Sequence, residues 1–251
     1  MSVPSFTPLQ KAGDHVGIKF DADGSVLHYP GNTIVCHVPL FSPLSDALVA
    51  VRDRLKASEF GPYLAFLPPE SYHMTVFEGA THAQRKAGFW PADLALDAPL
   101  GACTHHFEEA LTNFEPGCDT PLRLTVTDGV AQPDIGSMKL TPVDDAENRK
   151  LRGLRDRLSS CLSIRRPDHD RYVFHITLAY HVKPMTYAQA DACLQLQAEC
   201  FAWVAQYAGM IELGAPEFCV FNDMYAFDNQ FYLAGSPAPR RLDPAKTGGQ
   251  S

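Results

Sequence analysis

The sequence predicts an α+β protein of two pseudo-symmetric lobes, each a sheet backed by helices, with a groove between their uncovered faces. Three observations carry this reading. Strand-like alternation and helix-like apolar stripes follow one another in the same order in each half of the chain. Two short stretches, Tyr72-His73-Met74-Thr75-Val76 and Phe174-His175-Ile176-Thr177-Leu178, share the pattern aromatic, His, apolar, Thr, apolar. Finally, 251 residues with 45% apolar content suffice for a substantial core, in one domain or two packed lobes.

In chain order, residues 16–20 and 25–29 flank Asp21-Ala22-Asp23-Gly24, a hairpin signal. Asp21 and Asp23 lack the glycine and glutamate spacing of a calcium loop, so an ordinary turn is expected. Residues 33–38 form a strand region closed by Pro39. Ser42-Pro43 then opens a helix in which Leu44, Leu48, Val51 and Leu55 recur at helical spacing. After residues 63–67, Pro68-Pro69 leads into the first His-Thr strand. Residues 80–100 give no single pattern, and Trp90-Pro91 breaks any long helix.

Residues 100–114 read as a helix carrying Cys103, His105 and His106, which helical geometry spreads around the axis rather than gathering on a metal. Residues 122–127 and 136–141 alternate as strands, with Gly129 ending or bulging the first. Residues 144–162 form a helix capped by Asp144 or Asp145, with Leu151, Leu154, Leu158 and Leu162 as its buried stripe. Its Arg149, Lys150, Arg152, Arg155 and Arg157 read as solvated charge interleaved with acids. The second His-Thr strand, a helix over 186–208 and a closing hairpin of 217–227 and 230–234 around Asp228-Asn229 complete the order. Residues 1–13 read as a loose tail or docking arm, and 236–251 as a disordered tail. The expected division is therefore an N-terminal arm and hairpin over 1–31, a bilobal domain over 32–235 and the tail.

A formal charge of −8, from 21 basic and 29 acidic residues, argues against a long nucleic acid as partner. A small phosphorylated ligand held locally is compatible with it. Seven cysteines without a C-x-x-C spacing, and an opening MSVPSFTPLQ without a charged and then apolar leader, point to reduced thiols in the cytoplasm. No apolar run approaches the length of a membrane span.

In a strand, side chains two apart share a face, so each motif presents an imidazole beside a hydroxyl while Met74, Val76, Ile176 and Leu178 point into the core. Two copies supply what is needed to protonate, deprotonate and cradle a phosphate. Composition makes one such motif an ordinary coincidence; two are not. Paired His-x-Thr-x strands about a hundred residues apart resemble the two-histidine (2H) phosphoesterase superfamily, from about residue 32 to 235.

That resemblance implies a bilobal fold of mainly antiparallel sheets. It also implies a metal-independent phosphodiesterase acting on a cyclic phosphate, whether a 2′,3′-cyclic nucleotide, a short RNA end or a related small molecule. Catalytic roles then fall to His73, Thr75, His175 and Thr177, with no cofactor and no metal. One imidazole activates water while the other protonates the departing ribose oxygen, provisionally His175 and His73 respectively, and the threonines bind nonbridging oxygens. The limbs of the pH profile are expected near about 6.5, spread by mutual repulsion.

Substrate contacts extend to Lys139 and Arg123, by strand parity or else as surface charge. Phe77 either stacks a base or plugs the core. Tyr180 and Tyr72 flank the motifs, mainly as packing residues. Two other readings compete: a noncatalytic nucleotide or phosphate-binding module on the same scaffold, and a metal site joining His73 and His175 with His37.

Overall fold

The computed structural model describes Leu9–Gln10 and residues 12–127 and 134–233. Gly129, most of the expected N-terminal tail and the tail over 236–251 lie outside the described residues. The elements, in order, are β1 (Leu9–Gln10), β2 (Gly31–His37), α1 (Pro43–Ala57), β3 (Leu64–Phe66), β4 (His73–Thr81), α2 (Leu100–Leu111), β5 (Leu122–Val126), β6 (Ser137–Pro142), α3 (Asp145–Cys161), β7 (Phe174–Thr177), β8 (Ala179–His181), β9 (Met185–Thr186), α4 (Tyr187–Ala208), β10 (Ile211–Leu213), β11 (Glu217–Phe221) and β12 (Asp228–Tyr232). No helix among the described residues is long and apolar enough to cross a membrane.

Eight strands form one antiparallel sheet in the order β10-β5-β6-β7-β4-β2-β11-β12. The α+β class and the antiparallel pairing stand as expected, with two four-stranded halves joined edge to edge at β4 and β7. Each half thus contributes its His-Thr strand to the seam. Met74, Val76, Met138, Leu140 and Ile176 join the leucine stripe of α3 in one buried cluster. Helix α3 packs on β4, β5 and β6, α2 on β4, and α4 on α1 and β5.

The helices begin where the sequence places their caps. Ser42 accepts from the Ser45 amide, Asp144 accepts from the Glu147 amide, and Thr186 with Gln189 forms a reciprocal capping box. Gly136 has φ of +92°. A Cβ there would lie 2.1 Å from the Ala179 carbonyl oxygen. Its own carbonyl accepts from the Leu178 and Ala179 amides at 2.8 and 3.2 Å, tying the entry of β6 to the end of β7.

Three expectations need correction. Asp228-Asn229 belong to β12, not to the turn: the Asp223 carboxylate accepts from the Tyr225 amide at 2.7 Å and builds the turn earlier. Asn229 instead donates its side-chain amide to the Glu217 carboxylate across the hairpin. The second concerns Arg155, read as solvated charge: it is 2% exposed, with its guanidinium 3.9 Å from the Tyr172 ring centroid. The third is the parity of β4. Thr75 pairs with Val35 and Phe77 with Ile34, so Val76 has no partner on β2 and forms a bulge. Beyond it the faces exchange, and Phe77 turns into the core at 2% exposure.

Arg155 and the bulge belong together. The Val76 carbonyl, displaced from the ladder, accepts from Arg155 Nη1 at 2.6 Å. Without that donor it is a buried, unpaired acceptor. Replacing Arg155 with Met is expected to lower unfolding stability by about 1–3 kcal/mol, measured by urea titration; an unchanged midpoint would show that the bulge does not need the guanidinium.

Candidate active site

The seam between the halves sets the site. Met74 pairs with Ile176. One step either way in antiparallel register puts His73 opposite Thr177 and Thr75 opposite His175. Facing positions lie about 5 Å apart and diagonal ones about 7–8 Å, so the imidazoles form a diagonal pair. All four side chains line one cleft of about 390 Å³.

Each imidazole is oriented by backbone two residues upstream. His73 Nδ1 donates to the Ser71 carbonyl at 2.7 Å and His175 Nδ1 to the Val173 carbonyl at 2.9 Å. A carbonyl only accepts, so both Nδ1 atoms carry hydrogen and the neutral rings leave Nε2 bare. Burial, then the neighbouring His37, lowers the His73 pKa to about 3. Burial and then Lys139 hold His175 below its usual value. Both rings are therefore neutral near pH 7 in the free protein.

The threonines are supported symmetrically. Thr177 Oγ1 lies 3.3 Å from Ser137 Oγ, and Thr75 hydrogen-bonds the Tyr172 side chain. Burial raises the Tyr172 pKa, so the phenol keeps its proton, while the hydrogen bond with Thr75 acts in the opposite sense.

Flanking strands repeat the symmetry. His37 pairs in register with His73, and Lys139 with His175. Each is tethered to an acid: His37 Nδ1 to Glu217 at 2.6 Å and Lys139 Nζ to Asp134 at 3.3 Å. His37, Glu217 and Cys219 bring three metal-type donors within 4.8 Å of one another, as do Asp156, His169 and Asp170. Among the described residues neither cluster includes His73 or His175.

The secondary expectations divide. Tyr180 lines the cleft. Lys139 flanks His175 but is absent from the lining. Arg123 is directed away, pairing at 3.2 Å with Glu212 on the edge strand, because two strands separate it from the seam. Phe77 plugs the core because of the bulge, and Glu78 takes its place in the cleft. Glu78 pairs with Arg166 at 3.4 Å. The N-terminal segment also reaches the site through His15, Lys19 and Tyr29. Nothing in its spacing signalled this, since it comes from packing: Phe20, fully buried, lies 4.9 Å from the Tyr180 ring.

A family model named 2H-phosphodiest, described as a domain of unknown function (DUF1868), matches residues 19–134. The match begins inside the N-terminal segment and takes in the first motif. No curated protein matches the chain. Among solved structures, the chain is similar to the conserved protein of unknown function ATU0111 from Agrobacterium tumefaciens str. C58, at 30% identity and a TM-score of 0.82, over 89% of this chain and 94% of that one. It also matches TT0787 of Thermus thermophilus at 15% identity and a TM-score of 0.41, over 81% of this chain and 98% of that one. With the family model matched across the first half and a relative matched along nearly its whole length, the chain belongs to the 2H phosphoesterase family.

Proposed function

We propose that the protein is a phosphodiesterase that hydrolyses a small cyclic phosphate, such as a 2′,3′-cyclic nucleotide, by paired-histidine acid and base catalysis. The observation that carries this is the diagonal His-Thr quartet, with both Nδ1 atoms fixed on carbonyls and both Nε2 atoms left for proton transfer. Neutral Nε2 of one histidine takes a proton from water as the water oxygen attacks phosphorus. The bond from phosphorus to one ribose oxygen breaks, and Nε2–H of the other histidine protonates that oxygen. Thr75 and Thr177 donate to the nonbridging oxygens as their charge grows.

The provisional roles, His73 as acid and His175 as base, are carried into this proposal. Burial lowers the pKa of both histidines, so the resting pair is neutral and turnover needs one proton on it. The alkaline limb of kcat/KM reports loss of that one proton from the free enzyme. Because burial holds both histidines below the ordinary value of about 6.5, kcat/KM is expected to fall as pH rises through a lower value. Bound substrate anion raises both histidines, so the corresponding limb of kcat lies at higher pH. A free-enzyme limb above 7 would show that the free protein does not hold the pair below its ordinary value.

The substrate is sought by screening nucleoside 2′,3′-, nucleoside 3′,5′- and ADP-ribose-derived cyclic phosphates. On the best of them, His73→Ala and His175→Ala should each lower kcat about 10²–10⁴-fold. Thr75→Ala and Thr177→Ala should each cost about 10²-fold. Full activity in either histidine variant would place the chemistry elsewhere, and phosphate binding without turnover of any substrate would favour a binding module. Activity is expected to survive EDTA; loss in chelator with rescue by a divalent ion would bring a metal into the reaction.

A further inference from the structure

The N-terminal segment is held to the domain at three points. The Gly13 amide donates to the His181 carbonyl at 3.2 Å, Phe20 is buried against Tyr180, and the Tyr29 amide donates to the Asn222 carbonyl at 2.8 Å. Between these anchors the Lys19 backbone is bonded on both sides, from its amide to the His15 carbonyl and from the Leu27 amide to its own carbonyl. The Lys19 side chain is thereby presented to the cleft that holds the His-Thr quartet.

Three cations stand around this cleft, and their partners differ. Arg166 is paired with Glu78 and Lys139 with Asp134. Lys19 has no carboxylate within ion-pair distance among the described residues. Its Nζ instead lies 3.5 Å from the Tyr180 hydroxyl and 5.3 Å from the centroids of the Tyr29 and Tyr180 rings. A partly desolvated ammonium among aromatic faces is stabilised far less than one paired with an anion. Of the nearby acids, Glu78 is occupied by Arg166, Asp134 by Lys139, and Asp14 sits exposed on the same segment.

We propose that Lys19 is a substrate-binding residue whose ammonium takes an anionic oxygen of the substrate phosphate in the cleft. This rests on the phosphodiesterase reading and assigns the N-terminal segment a part in the site. Substrate charge then neutralises a cation already in place, while Thr75 and Thr177 hold the remaining oxygens.

The test uses the full chain, inorganic phosphate as probe and the best cyclic phosphate from the screen. In calorimetric titration, Lys19→Met should weaken phosphate binding at least tenfold, and in turnover it should raise KM more than it lowers kcat. Without phosphate, K19M should melt no lower than the parent protein, because it removes a cation that has no carboxylate. Phosphate should raise the melting temperature of the parent and not that of K19M. The side-chain nitrogen resonance of Lys19, assigned by its absence in K19R, should shift in the unsubstituted protein when phosphate is added. A K19M protein that binds phosphate unchanged overturns the inference. A stationary Lys19 resonance overturns it as well, and that measurement stands even where K19M does not fold. Turnover abolished by H73A and H175A but untouched by K19M sinks this inference alone; phosphate binding through Lys19 with no turnover sinks the phosphodiesterase reading alone.

Discussion

The pairing of Met74 with Ile176 across β4 and β7 is the contact on which the site depends. Both side chains are fully buried, on the face that packs against the helices. Their burial forces His73, Thr75, His175 and Thr177 onto the opposite face, where the antiparallel direction of the strands sets each histidine across from the other motif's threonine. A slip by one residue would turn one motif into the core and expose its apolar residues. The register is thus fixed by apolar burial, and the polar quartet follows from it without contributing much packing of its own.

Orientation is handled separately from position. The Ser71 and Val173 carbonyls hold the two imidazoles in the same tautomer, and Tyr172 and Ser137 support the two threonine hydroxyls. Proton-transfer groups held by backbone lose little freedom when a substrate enters. The two halves differ at their flanks. An imidazole anchored by buried Glu217 stands beside His73, while an ammonium anchored by exposed Asp134 stands beside His175. That difference breaks the symmetry of the pair.

Much of this was legible in the sequence. Period-two alternation located β4, β5, β6 and β7, leucine stripes located α1 and α3, and the repeated His-Thr spacing identified the quartet. What escaped has physical causes. Alternation assumes an unbroken ladder, so the bulge at Val76 exchanged the roles of Phe77 and Glu78. A run of basic residues reads as surface, yet Arg155 is drawn inward by the carbonyl that the same bulge leaves unpaired. The three-residue β10 offers too short a pattern, and it exists because β5 presents an open edge to it. The wall built by residues 13–29 is a matter of distant packing on β8 and the β11–β12 loop, which no local pattern encodes.

Keeping imidazoles neutral inside the cleft ties the chemistry to the stability of the fold. Burial holds His15, His73, His175 and His181 below their ordinary value. In the unfolded chain the same groups take up protons as pH falls through about 6.5. The folded state does so only at lower pH, so the unfolded state binds more protons and stability declines on acidification below that value. Above it the contribution is fully present. An anion entering between His73 and His175 acts in the opposite sense, because it favours the charged imidazolium and so raises the pKa of both rings. The resting protein is therefore most stable with the pair deprotonated. Desolvation that disfavours the charged form thus keeps both rings neutral in the free protein.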